Sequence, residues 1–350
     1  MKKKRRIFIL GFLAVGLCSG CSVVAHKIYS QQFGRVKEFS ERGFHTYIMW
    51  DEIDQTKYPR EEVRFHSGKN QLQGYIYGRE NDKGLVVFSH GLGGTADGYF
   101  PMIMYFVDQG WRVFAFSNTG VSGSEGIDMR GLPQSAIDLD AALVYVSNST
   151  TLGHLPLMLV GHSWGGFAVC AVLNYAHHVN AVVSFAAFNN GSKMFKEQGV
   201  AIAGLFYHLL SPQFWAIERV RFGSKMKLNA VDGINKANIP VMIVHCSTDK
   251  LISDKTTSIY AHRDAITNPK VEIVYLQGEN AAGHEFVFGS KEMRAYRKAA
   301  NENLQNYLTE NSDASPIEWA KEFGFDKFKA NELNGELMER INTFFNDAID

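Results

Sequence analysis

The feature that most constrains the fold is a regular alternation, from residue 85 onward, between short apolar runs and segments of helical length. Each run is rich in Val, Ile and Phe, as expected for strands buried on both faces of a sheet. The runs are 85–89, 112–117, 157–160, 181–185, 241–245 and 272–276. Apolar residues recur at helical spacing in the intervening segments 97–109, 134–147 and 164–176. The alternation predicts an α/β fold, with a mostly parallel central sheet and helices on both faces.

Upstream of these runs, the sequence predicts the start of the folded domain. Residues 62–66 and 72–77 alternate between apolar and polar positions around a Gly68-Lys69-Asn70 turn, which is typical of a hairpin. Residues 22–60 are mixed and polar, and we interpret them as a tether followed by a lead-in. A chain of 350 residues, 45% of them hydrophobic, is long and apolar enough for a single large core. We therefore predict one domain over 61–350.

Two stretches interrupt the alternation. About 50 residues over 189–238 connect two predicted strands without a clear strand of their own, a length that requires independent structure. We predict a helical cap there. Its aromatic residues are expected to fill the core of the cap, and some of them to line a substrate pocket: Phe195, Phe206, Tyr207, Phe214, Trp215 and Phe222. Residues 287–330 predict a second helical insertion, and 336–346 the last amphipathic helix.

The first 21 residues have the features of a targeting segment. Lys and Arg at positions 2–6 precede an apolar run over 7–17 and then small residues, the order found in export signals. The run is shorter than the roughly 20 apolar residues that a bilayer span requires. The stretch from Leu17 to Cys21 resembles a bacterial lipoprotein box, although Cys18 stands where Leu is usual. Lipidation at Cys21, ordinary secretion and an uncleaved anchor stay open. We predict an exported protein attached through this segment to the extracytoplasmic side of a bacterial membrane.

Charge and cysteine content exclude some classes of protein. Lys plus Arg and Asp plus Glu number 36 each, and no basic stripe with interleaved aromatics occurs after the first residues. Nucleic acid is therefore not an expected partner. Beyond the targeting segment only Cys170 and Cys246 remain, too few for a disulfide framework. Both lie in apolar surroundings and are predicted to be small buried hydrophobes.

Gly161-His162-Ser163-Trp164-Gly165 is a G-x-S-x-G motif between a predicted strand and a predicted helix. Side chains at the two glycine positions would clash with neighbouring backbone in such a turn, which lifts the serine hydroxyl above the carboxyl end of the strand. The first amides of the following helix then face the serine, where developing negative charge is favoured. Ser163 is the predicted nucleophile. The alternative is a serine that only caps a buried helix.

The run His90-Gly91-Leu92-Gly93-Gly94 follows the strand predicted at 85–89 and predicts an oxyanion-binding loop. The tetrahedral intermediate of acyl transfer carries negative charge on oxygen, and fixed backbone amides stabilise that charge. We predict this role for the N–H groups of Leu92 and Trp164. His90 is expected to shape the loop through hydrogen bonds. The alternative is a glycine-rich loop that only connects a strand to a helix.

A serine hydroxyl needs an imidazole to accept its proton and a carboxylate to hold that imidazole in the correct tautomer. His284 follows the run at 272–276, and Asp249 follows the run at 241–245. Both positions suit loops at the carboxyl ends of late strands. We predict His284 as the general base and Asp249 as the carboxylate that orients it. A turn or capping role is the alternative for Asp249, and Asp254 is the nearest rival.

These motifs, in this order, resemble the α/β-hydrolase superfamily, especially its branch of serine aminopeptidases, monoglyceride lipases and lysophospholipases. The resemblance spans roughly 60–286 and the last helix. It implies the α/β-hydrolase fold and the roles given above for the serine, aspartate and histidine. Two features depart from that branch. The stretch from Asn118 to Ser124 does not match the D-x-R-G-x-G-x-S of many members, and a helical insertion follows His284.

A histidine-activated serine with an oxyanion loop and an apolar cap predicts a serine hydrolase that cleaves a carboxylic ester through an acyl-enzyme. A peptidase uses the same groups and usually an acidic site for a free amino terminus, for which Glu279 and Glu285 are candidates. Acyl transfer to an acceptor other than water and a non-catalytic binding protein are further alternatives. The expected substrate is a small acyl ester or a peptide. No cofactor is required, and no cluster with ligand spacing predicts a metal site.

Overall fold

An eight-stranded sheet forms the centre of the computed structural model, which describes residues 20–38 and 44–350. The strand order is β1-β2-β4-β3-β5-β6-β7-β8. Only β2 runs antiparallel to its neighbours, and β3 to β8 are parallel to one another. The strands are β1 (Arg60–Ser67), β2 (Asn70–Tyr77), β3 (Leu85–Ser89), β4 (Arg112–Phe116), β5 (Leu157–His162), β6 (Ala181–Phe185), β7 (Val241–Cys246) and β8 (Val271–Leu276).

Helices cover both faces of this sheet. A buried cluster on one face includes Leu139, Phe167 and Ile234, and the cluster on the other face includes Phe106 and Phe345. The helices are α1 (residues 20–32), α2 (Phe100–Asp108), α3 (Gln134–Asn148), α4 (Trp164–Ala171), α5 (Gly191–Ala203), α6 (Phe206–Phe222), α7 (Ala230–Ala237), α8 (Lys291–Glu310), α9 (Pro316–Phe323) and α10 (Gly335–Asp347). The predicted α/β class and its helices on both faces are confirmed.

The two predicted insertions are helical. Between β6 and β7 lie α5, α6 and α7, and α8 and α9 follow β8. Side-chain caps fix several of the starts, because Asn190 accepts from the Lys193 amide at 3.0 Å and Ser290 from the Met293 amide at 2.8 Å. Ser315 and Glu318 form a capping box that begins α9.

The description of residues 22–60 as a tether is wrong at its start. Residues 20–32 form α1, and Ala25, Tyr29 and Phe33 are buried in the same apolar cluster as α3 and α4. The Tyr29 ring centre lies 4.7 Å from that of Phe33 and 5.4 Å from that of Phe195 on α5. Polar composition misled the prediction, because three residues on one helical face suffice to bury α1 against the domain.

The predicted targeting segment lies outside the described residues, except for Gly20 and Cys21. Within 20–38 and 44–350, no helix combines the length and the apolar content needed to cross a membrane.

Candidate active site

Ser163 occupies a sharp turn between β5 and α4, with φ 56° and ψ −110°. A β-carbon on Gly161 would lie 2.3 Å from the Gly165 carbonyl oxygen, and one on Gly165 would lie 1.9 Å from the Ser89 carbonyl oxygen. Real side chains do not approach backbone so closely, so the predicted steric need for both glycines is confirmed. The left-handed backbone of a non-glycine residue is strained, and the surrounding sheet and helix hold it in place.

Three loops that are distant in sequence bring the predicted serine, histidine and aspartate together. The Oγ of Ser163 lies 2.9 Å from Nε2 of His284. Nδ1 of His284 lies 2.8 Å from Oδ2 of Asp249. Because an ionised carboxylate only accepts hydrogen bonds, Nδ1 carries the proton and Nε2 accepts from the serine hydroxyl. All three residues are less than a tenth exposed.

The second oxygen of Asp249 is also held. Its Oδ1 accepts from the amides of Leu251 and Ile252, both at 2.9 Å. Burial alone would raise the pKa of Asp249, but the hydrogen bond from His284 and the Ile252 amide outweigh it and lower the pKa. The carboxylate therefore stays ionised beside the imidazole. Asp254 points elsewhere, because its Oδ2 accepts from the Tyr275 hydroxyl at 2.5 Å.

The loop after β3 is held by His90, as predicted. Its Nδ1 lies 2.8 Å from the Gly91 carbonyl oxygen, and its Nε2 accepts from the Asn118 amide at 3.0 Å. These bonds connect the loop to the end of β4, where the sequence departs from the branch motif. Neither Leu92 N–H nor Trp164 N–H donates to another group within 20–38 and 44–350.

A second hydrogen-bonded chain, which the sequence analysis missed, connects the same loops. The Tyr99 hydroxyl accepts from the Gly91 amide at 3.0 Å and donates to Nδ1 of His162 at 2.8 Å. Nε2 of His162 donates to the carbonyl of His284 at 3.0 Å. Burial, together with the nearby His284, lowers the pKa of His162 to about 3, so its ring is neutral. His162 was visible inside the serine motif, but nothing in the sequence indicated the Tyr99 hydroxyl as its partner.

The His284 loop has one more anchor. Cys246 is fully buried, as predicted, and its Sγ accepts from the amides of Ala282 and Gly283 at 3.1 and 3.3 Å. The thiol at the end of β7 therefore fixes the loop just before the imidazole.

A pocket of about 310 Å³ opens at Ser163 and His284, near the lower limit of typical ligand pockets. One wall is the loop after β3 with the start of α2. The opposite wall is the insertion after His284, which contributes Phe286, Phe288, Met293 and Leu333. Among the described residues that line this pocket, none comes from the cap over 189–238.

The cap aromatics therefore do not line this pocket, contrary to expectation. Tyr207, Phe214 and Phe222 are buried, and the Phe195 and Phe214 ring centres lie 5.1 Å apart, so these residues do fill the core of the cap. Phe206 and Trp215 do not, because they are 78% and 59% exposed.

Two carboxylates are found among the described residues that line the pocket. Glu285 was one of the two predicted acidic candidates, and Glu332 was not foreseen. The other candidate, Glu279, lies outside the lining and forms an exposed ion pair with Lys291 at 2.6 Å. No group of three or more His, Cys, Asp or Glu arranged to hold a metal occurs in the described part of the chain, and no metal is assigned to the site.

The eight-stranded sheet, with a serine raised at the strand–helix turn after β5, defines the class: this is the α/β-hydrolase fold. The model of the serine aminopeptidase family S33 matches residues 80–230, less than half of the chain. A search of curated protein sequences found no significant match.

Solved structures agree with the fold. An esterase from Pyrococcus furiosus is 14% identical with a TM-score of 0.53, over 79% of this chain and 98% of its own. An α/β hydrolase from a Penicillium species is 17% identical with a TM-score of 0.50, over 69% and 96% of the two chains. An acylaminoacyl peptidase from Pyrococcus horikoshii is 15% identical with a TM-score of 0.50, over 72% of this chain and 41% of its own. At these identities the likeness concerns the fold alone.

Proposed function

We propose that the protein is a serine hydrolase that cleaves a carboxylic ester through an acyl-enzyme intermediate. The supporting observation is the continuous hydrogen-bonded chain from the Ser163 hydroxyl through His284 to Asp249. As the serine oxygen attacks the ester carbonyl carbon, Nε2 of His284 takes its proton, and Asp249 stabilises the resulting imidazolium. The leaving alcohol then receives this proton from His284.

The second half of the reaction reverses these roles on water. His284 removes a proton from water, the hydroxide attacks the acyl carbon, and the serine oxygen leaves with the proton. In both halves the amides of Leu92 and Trp164 donate to the developing oxyanion, and one such donor lowers the barrier by about 3 kcal/mol. Their lack of other acceptors within the described residues supports this role.

The pocket supports an ester with a modest acyl group. Its wall carries Phe288, Met293 and Leu333, which suit an aliphatic chain better than a charged one. The volume of about 310 Å³ limits the length of that chain.

An aminopeptidase is the second candidate. Glu285 and Glu332 line the pocket and offer carboxylates to a free amino terminus, and the matched family model describes serine aminopeptidases. The same serine, histidine and aspartate would cleave the amide, with His284 protonating the departing amine.

Two measurements test this proposal. A fluorophosphonate probe is expected to label the wild-type protein and not Ser163→Ala; failure to label the folded wild-type protein would indicate a non-catalytic binding protein. We expect hydrolysis of p-nitrophenyl esters of graded chain length, with little hydrolysis of aminoacyl p-nitroanilides. Activity confined to the anilides would favour the peptidase, and transfer of the acyl group to an added alcohol in preference to water would favour an acyltransferase.

We also propose that the protein is exported and attached to a bacterial membrane through its first 21 residues. The basic and apolar order of residues 2–17 supports export, and Cys21 is the lipidation candidate. Metabolic labelling with a radioactive fatty acid is expected to mark the wild-type protein and not Cys21→Ser. Equal membrane attachment without label would favour an uncleaved anchor, and release into the medium would favour ordinary secretion.

A further inference from the structure

The turn between α5 and α6 presents an unusually apolar surface. The 20 residues from Gln198 to Ile217 include no Asp, Glu, Lys or Arg. Six consecutive residues, 201–206, are exposed, and Ile202, Leu205 and Phe206 expose 83%, 87% and 78% of their surface. Leu209 extends the patch along α6 at 58% exposure. We call residues 201–209 the α5–α6 tip. Scattered apolar side chains are normal on protein surfaces, but a continuous patch of this kind marks an interaction site.

The direction of α1 shows what lies beside this tip. Near its start, Ser22, Val23 and His26 share a surface groove with residues 212–217 of α6. Further along α1, the Tyr29 ring lies 5.2 Å from the guanidinium of Arg221, close to the end of α6. The two helices therefore run parallel, and α1 begins beside the first half of α6, which starts at the tip. Gly20, to which the preceding sequence connects, therefore lies at the end of α1 nearest the tip.

That preceding sequence, residues 2–17, is basic and then apolar. The start of α1 continues its character, because Val23, Val24 and Ile28 are exposed. Residues 20–37 contain cationic side chains but no Asp or Glu. A surface with exposed aliphatic and aromatic groups, cations and no carboxylates complements an anionic lipid bilayer, which accepts apolar groups at its acyl boundary and cations at its headgroups.

We infer that the α5–α6 tip and the exposed side of α1 dock into the surface of an anionic lipid bilayer, with Ile202, Leu205 and Phe206 entering the acyl boundary. The docking is interfacial, and none of the helices in the described ranges crosses the bilayer. This inference is independent of the proposed ester hydrolysis, since Ile202, Leu205 and Phe206 do not line the pocket at Ser163. A second copy of the chain is the competing occupant of the same patch.

The depth of position 206 in a bilayer tests the inference directly. The full chain is reconstituted with vesicles of phosphatidylethanolamine and phosphatidylglycerol, in the variant Trp215→Phe, which removes an exposed tryptophan. Of the four remaining tryptophans, Trp111, Trp164 and Trp319 are buried and Trp50 is half-buried, and all four contribute a background that every variant shares. Phe206→Trp then adds a reporter at the tip. Its matched control is Ile317→Trp, at a site on α9 that is 48% exposed.

Lipids brominated along their acyl chains are expected to quench the tryptophan at 206 at least twofold more than the one at 317. Aqueous iodide is expected to quench them in the opposite order. Equal iodide quenching at both positions, or a chain that does not associate with the vesicles, would overturn the inference. So would protection of position 206 from both quenchers in samples whose sedimentation shows two copies, because the second copy would then cover the tip.

Discussion

The Tyr99 hydroxyl connects the loop after β3 with the loop that carries His284, and the proposed reaction requires a fixed distance between these two loops. It accepts from the Gly91 amide, beside the predicted oxyanion donor, and donates to His162, which holds the carbonyl of His284. None of these groups touches the proton that moves during the reaction. Their effect is positional, because a displacement of about 1 Å at the reacting atoms can reduce a rate about 100-fold.

Tyr99→Phe is therefore expected to lower kcat by roughly 10- to 100-fold while KM changes little. The Gly91 amide and Nδ1 of His162 each lose a hydrogen bond, and each buried group left unsatisfied costs about 1–3 kcal/mol of stability. Steady-state kinetics on the best ester and urea unfolding measure the two effects. Tyr275→Phe is the matched control, since its hydroxyl bonds to Asp254 outside the site. An unchanged kcat in Tyr99→Phe would show that the hydrogen bonds of Tyr99 do not position the site.

The neutral state of His162 predicts how stability depends on pH. Its pKa in the folded protein is about 3, below the ordinary value of 6.5, so only the unfolded chain gains a proton between these values. The free energy of unfolding should therefore fall as the pH decreases below about 6.5, by up to about 1.4 kcal/mol per pH unit from this group. Urea titrations from pH 7.5 to 4.5 measure the slope. His162→Gln should show a smaller slope, and identical slopes would contradict the assignment.

At the scale of elements, the pocket lies on the insertion after β8 and not on the cap between β6 and β7. Leu333 and Met293 line the pocket, whereas Leu210 of α6 packs against the apolar cluster that contains Tyr207 and Phe214. The two insertions thus have separate surroundings. If the proposed hydrolysis holds, we expect substitutions in the insertion after β8, and not in the cap, to change which acyl groups are accepted.

Leu333→Trp should shorten the acyl chain that the pocket accepts. We expect kcat/KM for p-nitrophenyl esters of medium chain length to fall at least about 10-fold relative to the acetate, because one methylene in an apolar pocket changes binding by about 1–3 kcal/mol. Leu210→Trp makes the same replacement in the cap and should leave the ratio unchanged. A larger effect from the cap variant would contradict the location of the pocket.

The elements that the sequence predicted well are those whose pattern is local. Buried strands appear as apolar runs. Gly161 and Gly165 indicate a turn too tight for side chains, and both glycines lie within two residues of Ser163. Contacts between residues that are distant in sequence could not be predicted in the same way. The hydrogen-bonded chain through Tyr99 depends on which side chain a helix start presents to His162. The pocket wall at Leu333 depends on how an insertion folds back over the sheet. Neither contact produces a recognisable pattern in the sequence, because both follow from tertiary packing.

At the scale of the whole molecule, α1 is part of the folded body. Phe33 is 1% exposed, and its backbone carbonyl accepts from the Met129 amide at 2.8 Å. Arg35 next to it donates to the carbonyls of Ser122, Ser124 and Gly126. The segment after α1 is therefore bound to the loop that follows β4.

Phe33→Ala should lower the free energy of unfolding by about 3–5 kcal/mol, the usual cost of removing a buried aromatic ring. Urea denaturation followed by circular dichroism measures the loss. Ile28→Ala, at a position 42% exposed on the same helix, should change stability by less than about 0.5 kcal/mol. A loss below about 1 kcal/mol in Phe33→Ala would mean that α1 adds little to the core.

The parallel packing of α1 along α6 also limits rotation of the domain about its point of attachment. A flexible linker lets a domain turn freely about its point of attachment, with a reach that grows with linker length. Here the polypeptide enters the body through a helix whose Tyr29 and Ala25 are wholly buried. Whatever holds residue 20 in place therefore also fixes the orientation of the pocket mouth, because the helix between them is rigidly packed into the domain.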